Sequence, residues 1–196
     1  MLDSSHDPLT ASPGLRNAWQ WLAMLTMTLD HLGVVFDVSA LRYAGRLGMP
    51  LYALLFVITC KKHQVHLSRI VLLAVLSQVQ YLYLFQVRQL NIIFGFAIFA
   101  WTIEAMRRQH RVRLAVGLMM MWIPVSYGWY LYATLATFYF FEAPLPRRGV
   151  FAVVTIAYTV LCRLHPRQLL AIGVPFLTRL TAPRPMAAAG LAAPGP

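Results

Sequence analysis

The sequence predicts an all-α fold: a polytopic helical transmembrane bundle of about seven to eight spans, with its N-terminus in the cytoplasm. The chain has 196 residues, of which 59% are hydrophobic and only 12% charged, and its mean hydropathy is +0.61. Soluble domains carry about 25% charged residues. Apolar windows recur along the chain from residue 18 to residue 177. This repetition indicates membrane spans rather than a single buried core.

Short polar and basic connections separate the apolar windows and divide the chain into three parts. Residues 1–16 are predicted to form a flexible N-terminal leader, residues 17–178 the transmembrane domain, and residues 179–196 a disordered Ala/Pro-rich tail. The predicted spans are, in order, 17–36, 47–60, 67–87, 90–106, a shorter one that ends near Pro124, 129–141, 150–162 and an eighth candidate at 169–177.

The formal net charge of +11 has its simplest explanation in membrane orientation. With eight spans and the N-terminus inside, twelve of the seventeen Lys and Arg residues fall on the cytoplasmic side. The predicted location is therefore a bacterial inner membrane, crossed several times, and nucleic acid is not an expected partner. Cys60 and Cys162 lack any metal or redox spacing, so no metal is expected.

Asp30 and His31 stand side by side within the first apolar run, "LTMTLDHLG". Asp30 lies 13 residues after Asn17, which places it roughly 20 Å into a hydrocarbon layer of ~30 Å, toward the outer leaflet. A charged group near the centre of a span costs about 2.5–3.5 kcal/mol, so such residues normally face the bundle interior or a water-filled cavity. The polar or small residues Thr26, Asp30, Gly33 and Asp37 share one helical stripe, with His31 beside it.

The second span supplies two arginines at the same predicted depth. Its strictly apolar part, residues 47–60, is too short to cross the hydrocarbon layer, so the helix is expected to extend back through "LRYAGRLGMP". This extension would bring Arg42 and Arg46 close to the Asp30 and His31 level. An Asp30–Arg46 ion pair would leave His31 available as a general base, and the arginines could bind an anionic group. A purely structural Asp–Arg pair remains the alternative.

Other polar positions have both a binding and a structural interpretation. Gln78, Asn91 and Tyr127 are candidates for substrate binding, or for hydrogen bonds that join neighbouring helices. The Tyr/Trp concentration at 127–132 is typical of an interfacial belt. Lys61, Lys62 and the arginines of residues 107–113 fit orientation determinants, with attraction of an anionic cytosolic ligand as a secondary role.

Several segments together resemble one known family. "AMLTMTLDHLGVVF" followed by "LRYAGRLGMPLYALLFV" is similar to the opening of the TraX family, whose pattern is a methionine-rich helix, Asp-His and an L-R-x-x-G-R-x-x-x-P segment. "SQVQYLYL" resembles the family's S-Q-x-P-Y element with Gln80 in place of proline. The resemblance covers roughly residues 16–141. Near the C-terminus the family often has Y-P-x-H, whereas "LHPRQ" keeps Pro166 and has Gln168 in the histidine's place.

The resemblance implies a conjugative-plasmid inner-membrane protein that acetylates the N-terminus of pilin with acetyl-CoA as donor. It is also distantly similar to membrane acyltransferases that use a histidine near the outer end of their first span. His31 would then deprotonate the attacking amine and Asp30 would support it. Arg42 and Arg46 would bind the phosphate of the donor or the developing oxyanion. The expected partners are the pilin subunit and membrane lipid.

Two other functions stay open at the level of the sequence. A non-catalytic pilus-assembly or pilin-binding membrane protein would keep Asp30 and the arginines only for helix packing. A membrane O-acyltransferase that acts on a lipid or glycan hydroxyl would use the same histidine base. Replacement of His31 distinguishes the non-catalytic protein from an enzyme. The identity of the acylated group distinguishes the O-acyltransferase from the pilin acetyltransferase.

Overall fold

The computed structural model describes residues 13–141 and 144–161. All the regular secondary structure in these residues is helical, which confirms the predicted all-α class, and one isolated parallel bridge joins Leu90 to Val125. The helices are α1 (Pro13–Val35), α2 (Ser39–Gly45), α3 (Gly48–Lys62), α4 (Leu67–Phe85), α5 (Ile92–Arg107), α6 (Arg111–Met120), α7 (Gly128–Phe140) and α8 (Pro144–Leu161). The predicted eighth span and the tail lie outside the described residues.

The second predicted span does extend backwards, as its short apolar part required. α2 and α3 follow one another with a brief break at Arg46 and Leu47, whose backbone dihedrals stay in the right-handed helical region. Together they form a segment of 24 residues, Ser39–Lys62, that is long and apolar enough to cross a membrane. The extension places Arg42 and Arg46 on this segment, beside α1.

Within the described residues, two segments meet the length and hydropathy expected of a membrane span, Ser39–Lys62 and Leu67–Phe85. The two segments differ in burial. In Ser39–Lys62, 61% of the apolar window is buried inside the protein, whereas in Leu67–Phe85 only 6% is buried. The apolar side chains of α4 therefore face outward, as those of a lipid-facing helix do. The fifth predicted span is shorter as a helix than a crossing requires, since the 10 residues of α6 cover about 15 Å.

The core lies around α3 and α7, which pack against each other. α1 packs on α2 and α3, α8 packs on α7, and α5 lies against α4, α6 and α7. The largest fully buried apolar side chains come from α3, α7 and α8: Met49, Leu51, Val57, Tyr130, Leu131, Leu135, Phe138 and Phe151. This packing holds the α1–α2–α3 group against the start of α7, where the polar residues of the candidate site meet.

Glycines let α1 and the α2–α3 segment approach closely. A Cβ on Gly45 would lie 2.5 Å from the Asp30 Cα, and one on Gly33 would lie 2.8 Å from the Arg42 amide nitrogen. A Cβ on Gly48 would lie 3.2 Å from the Met27 amide nitrogen. The two segments thus run antiparallel with backbone nearly against backbone, as small residues allow at interfaces between membrane helices. The predicted stripe of Thr26, Asp30 and Gly33 is the face that makes this contact.

A hydrogen-bond network around Asn91 ties α4 to α5. Its side-chain oxygen caps α5 by accepting from the amides of Ile93 (3.0 Å) and Phe94 (3.4 Å). Its side-chain nitrogen donates to the Ala74 carbonyl (2.9 Å) and to the Ser77 hydroxyl (3.0 Å). The network fixes where α5 begins relative to α4.

The same network extends to Gln78. This side chain accepts a hydrogen bond from the Asn91 amide (2.8 Å) and donates one to the Gln89 carbonyl (3.0 Å). The polar groups of Gln78 and Asn91 therefore form hydrogen bonds that join neighbouring helices. This is the structural interpretation of these two residues, as opposed to substrate binding.

Replacing Gly45 by Val is expected to destabilise the protein by about 1–3 kcal/mol, because the new side chain would overlap Asp30. The measurement is the thermal unfolding midpoint in detergent. Gly149→Val is the matched control, since a Cβ at Gly149 on α8 would meet no atom within 4 Å. Equal midpoints for the two variants would show that α1 and α2 do not approach as closely as described.

Replacing Asn91 by Ala is expected to lower the free energy of unfolding by about 1–3 kcal/mol, because it removes the cap of α5 and leaves buried partners unsatisfied. Urea or thermal unfolding in detergent measures the change. Asn17→Ala, at an exposed position of α1, is the control and should change the unfolding free energy little. An Asn91→Ala protein as stable as the control would contradict the capping role.

Candidate functional site

Asp30 lies where α1 crosses α2, with its backbone against Gly45. Its Oδ1 atom is buried and accepts no hydrogen bond from any described residue. One turn earlier, the Thr26 hydroxyl is satisfied within α1 by the carbonyls of Leu22 (2.9 Å) and Ala23 (3.0 Å). Thr26 therefore does not hold the Asp30 carboxylate. A buried carboxylate oxygen without a partner is costly, and such an atom in a native fold calls for an explanation.

Arg46 reaches the same region without forming an ion pair with Asp30. Among the described residues, the ion pair is between Arg108 and Glu104, at a different helix. Arg46 is half-buried at the end of α2, whereas Arg42 is exposed and lies against Gly33. The structure thus places both predicted arginines beside α1, but the Asp30–Arg46 ion pair suggested by the sequence is not formed in it.

Tyr127 interacts electrostatically with both Asp30 and Arg46. Burial is the largest cause that raises the pKa of its hydroxyl above the ordinary 10.0, the Asp30 carboxylate raises this pKa further, and Arg46 lowers it. The hydroxyl consequently stays protonated at neutral and mildly alkaline pH and can donate a hydrogen bond. The structure brings Asp30, Arg46 and Tyr127, three of the residues singled out by the sequence, into one region.

The backbone presents Tyr127 in an uncommon conformation. Its φ of 66° lies in the left-handed region, which non-glycine residues seldom occupy, and Gly128 follows with a φ of 50°. Two hydrogen bonds to Leu90 hold the loop that precedes Tyr127. The Leu90 amide donates to the Pro124 carbonyl (3.0 Å), and the Leu90 carbonyl accepts from the Ser126 amide (2.8 Å). Backbone strain of this kind is often found at functional sites.

His31 is held by its own helix. Its Nδ1 lies 2.7 Å from the Met27 carbonyl oxygen. Because a carbonyl can only accept, Nδ1 carries the proton and donates it to Met27. With the Nδ1 position used in this way, Nε2 is the ring nitrogen that can offer a lone pair, and it forms no hydrogen bond with a described residue. An imidazole in this tautomer can act as a general base through Nε2.

Sequence reasoning missed the aromatic neighbours of His31. The ring of Phe85, the last residue of α4, meets the imidazole edge-to-face with a centroid distance of 5.3 Å. Tyr81, one turn earlier, packs on Phe85 at 4.9 Å. The spacing of four residues between Tyr81 and Phe85 marks one face of α4, but nothing in the sequence assigns that face to His31.

The arrangement provides a base and hydrogen-bond donors. Among the described residues, no group of three or more His, Cys, Asp and Glu side chains could hold a metal ion. His31 supplies a lone pair at Nε2 on the side of α1 that meets Phe85, and Tyr127 and Arg46 supply a neutral donor and a cation on the side of Asp30. A base together with such donors fits acyl transfer, in which a nucleophile loses a proton while negative charge develops on a carbonyl oxygen.

Comparison with known proteins identifies relatives of this chain. The family described as "TraX protein" matches residues 16–190. "Protein TraX" of Escherichia coli (strain K12) is 32% identical over 127 residues, which covers 60% of this chain and 51% of that relative. A second "Protein TraX", from Escherichia coli, is 31% identical over 128 residues with the same coverage. The chain therefore spans about half the length of these curated relatives.

No solved structure matches the chain. The family match extends over most of the sequence and includes the helices that carry Asp30, His31, Arg42, Arg46 and Tyr127. The chain belongs to the TraX family.

Proposed function

We propose that the protein is a membrane-bound N-acetyltransferase that transfers the acetyl group of acetyl-CoA to the N-terminal amine of a conjugative pilin. The observation that carries the proposal is the state of His31, whose Nδ1 proton is committed to the Met27 carbonyl while Nε2 keeps its lone pair. Membership of the TraX family supports the biological setting.

In the proposed reaction, Nε2 of His31 takes a proton from the attacking amine. The amine nitrogen then forms a bond to the thioester carbonyl carbon, and negative charge develops on the carbonyl oxygen. Arg46 and the Tyr127 hydroxyl stabilise this charge. When the C–S bond breaks, the thiolate of CoA receives the proton from His31, so the products are the amide and free CoA.

Asp30 has a different role from the one usually given to a carboxylate next to a histidine. The Met27 carbonyl already selects the tautomer of His31, so Asp30 is not needed for it. The Asp30 carboxylate instead helps to keep the Tyr127 hydroxyl protonated by raising its pKa, and its contact with Gly45 makes it part of the helix packing.

We also propose that the protein crosses the inner membrane seven to eight times and has its N-terminus in the cytoplasm. This topology is supported by two described segments that are long and apolar enough to cross and by the excess of Lys and Arg on one side. In this orientation His31 lies toward the outer face, where the N-terminus of a membrane-held pilin would be the acceptor.

Replacing His31 by Asn is expected to lower pilin acetylation by about 10²–10⁴-fold, because the amide can still donate to Met27 but cannot act as a base. Intact mass spectrometry of the pilin measures the acetylated fraction, with membrane abundance of the variant measured in parallel. Thr28→Ala is the matched control, since that hydroxyl bonds only to the Met24 carbonyl on the exposed side of α1.

The same experiment tests the alternatives. A non-catalytic assembly protein predicts that His31→Asn leaves the pilin and its assembly unchanged. An O-acyltransferase predicts that acetylation is lost from a lipid or glycan while the mass of the pilin never depends on the gene. Either outcome would contradict the proposed function.

Replacing Tyr127 by Phe is expected to lower the acetylation rate by about 10²-fold while leaving protein abundance unchanged, because only the donor hydroxyl is removed. The rate is measured with purified protein in nanodiscs and a pilin peptide. Tyr83→Phe, at a position on α4 that is 82% exposed, is the control. A rate for Tyr127→Phe equal to that of Tyr83→Phe would exclude the hydroxyl from the reaction.

A further inference from the structure

A pocket of about 170 Å³ opens at the α3, α5 and α6 end that carries the basic connections. Its floor is apolar and buried, and is formed by Cys60, Ala100, Ile103 and Ala105. Its rim is basic and is formed by His63, Arg107, Arg108, His110 and Arg113. Buried apolar residues beside three arginines are suited to a ligand that is anionic at one end and less polar at the other.

The rim has more positive charge than its own carboxylate can neutralise. Glu104 accepts a hydrogen bond from Arg108 Nε alone, so the terminal nitrogens of Arg108 stay available and one carboxylate faces the three guanidiniums of Arg107, Arg108 and Arg113. Arg107 Nε donates to the Tyr139 hydroxyl at 3.0 Å, which orients its guanidinium. The Arg113 guanidinium forms no hydrogen bond with any described residue. Arginine forks of this kind bind phosphate with two parallel hydrogen bonds.

Trp101 adds an aromatic surface to the same pocket. Its indole Nε1 donates to the Arg113 carbonyl at 3.4 Å, which fixes the ring relative to the start of α6. The side chain is nevertheless 39% exposed. An exposed, oriented indole beside arginines can stack on a planar base.

The pocket is separate from the His31 region. α4 begins at Leu67, which lines the pocket, and ends at Phe85, which contacts His31. The 19 residues of this helix span about 28 Å. Arg42 and Arg46 are therefore too distant to act on a ligand group held by Arg108 and Arg113.

We propose that this pocket binds the phosphate groups of an anionic ligand, with Arg108 and Arg113 as phosphate contacts and Trp101 as a stacking surface. The phosphate chemistry rests on the pocket alone. That the ligand is the acyl donor, a nucleotide, rests on the proposed function. In that case Arg42 and Arg46 do not hold the donor phosphates.

The test measures binding of CoA to the full chain in nanodiscs of neutral phosphatidylcholine. The pocket variants are Arg113→Gln and the double variant Arg108→Gln/Arg113→Gln, and the matched control is Arg69→Gln/Arg111→Gln. The control removes the same charge from exposed arginines that do not line the pocket. We expect a Kd raised at least tenfold in the double pocket variant and within twofold of the wild-type value in the control. Trp101→Leu is also expected to weaken CoA binding relative to the wild-type protein.

A second set of nanodiscs contains phosphatidylglycerol and identifies the source of the phosphate. If CoA does not bind, but phosphatidylglycerol raises the unfolding midpoint of the wild-type protein and not of the pocket variants, the pocket binds phosphate from a lipid headgroup. If neither ligand binds, or the pocket and control variants weaken binding equally, the proposal is overturned.

The result also separates this proposal from the proposed function. The His31→Asn variant should bind CoA like the wild-type protein. If acetylation depends on His31 but CoA binding does not depend on Arg108 and Arg113, the pocket proposal alone is overturned. Phosphate binding that depends on the pocket, in a protein that never acetylates pilin, would overturn the proposed function alone.

Discussion

The close approach of α1 to the α2–α3 segment is the constraint on which the rest of the arrangement depends. Gly33, Gly45 and Gly48 remove the side chains that would hold the two backbones apart. The approach buries the Oδ1 atom of Asp30 and carries Arg46 to the same level. With α3 packed against α7, it also brings both groups to Tyr127 at the start of α7. Three polar groups that are distant in sequence thereby share one partly buried region, in which Asp30 and Arg46 act in opposite directions on the pKa of the Tyr127 hydroxyl.

Asp30 and His31 are adjacent in the chain but belong to different local environments. Asp30 faces the α2 crossing and Tyr127, whereas His31 turns toward the end of α4 and is oriented by Met27. This separation follows from the rotation of about 100° between consecutive residues of a helix. It allows Asp30 to serve packing and electrostatics while His31 is left for the base of the proposed reaction. If replacement of either residue abolished function, the physical cause would differ between the two.

Local pattern was sufficient to predict some of this arrangement. The apolar runs indicated the helices, the length deficit of residues 47–60 required α2, and helical spacing placed Thr26, Asp30 and Gly33 on one face. The contacts that depend on chain segments far apart could not be predicted in the same way. Tyr127 reaches Asp30 through a loop held by Leu90, and Phe85 reaches His31 from the end of α4, and neither contact has a periodic signature. The short fifth span was predicted to end near Pro124, whereas α6 ends at Met120, because the apolar run continues past Met120 although the helix does not.

The central claim is that this chain acetylates pilin, and intact mass spectrometry of pilin from cells with and without the gene tests it most directly. The account predicts that pilin from cells with the gene carries one acetyl group on its N-terminal amine and that pilin from cells without it has a free amine. An identical pilin mass in the two strains would contradict the account.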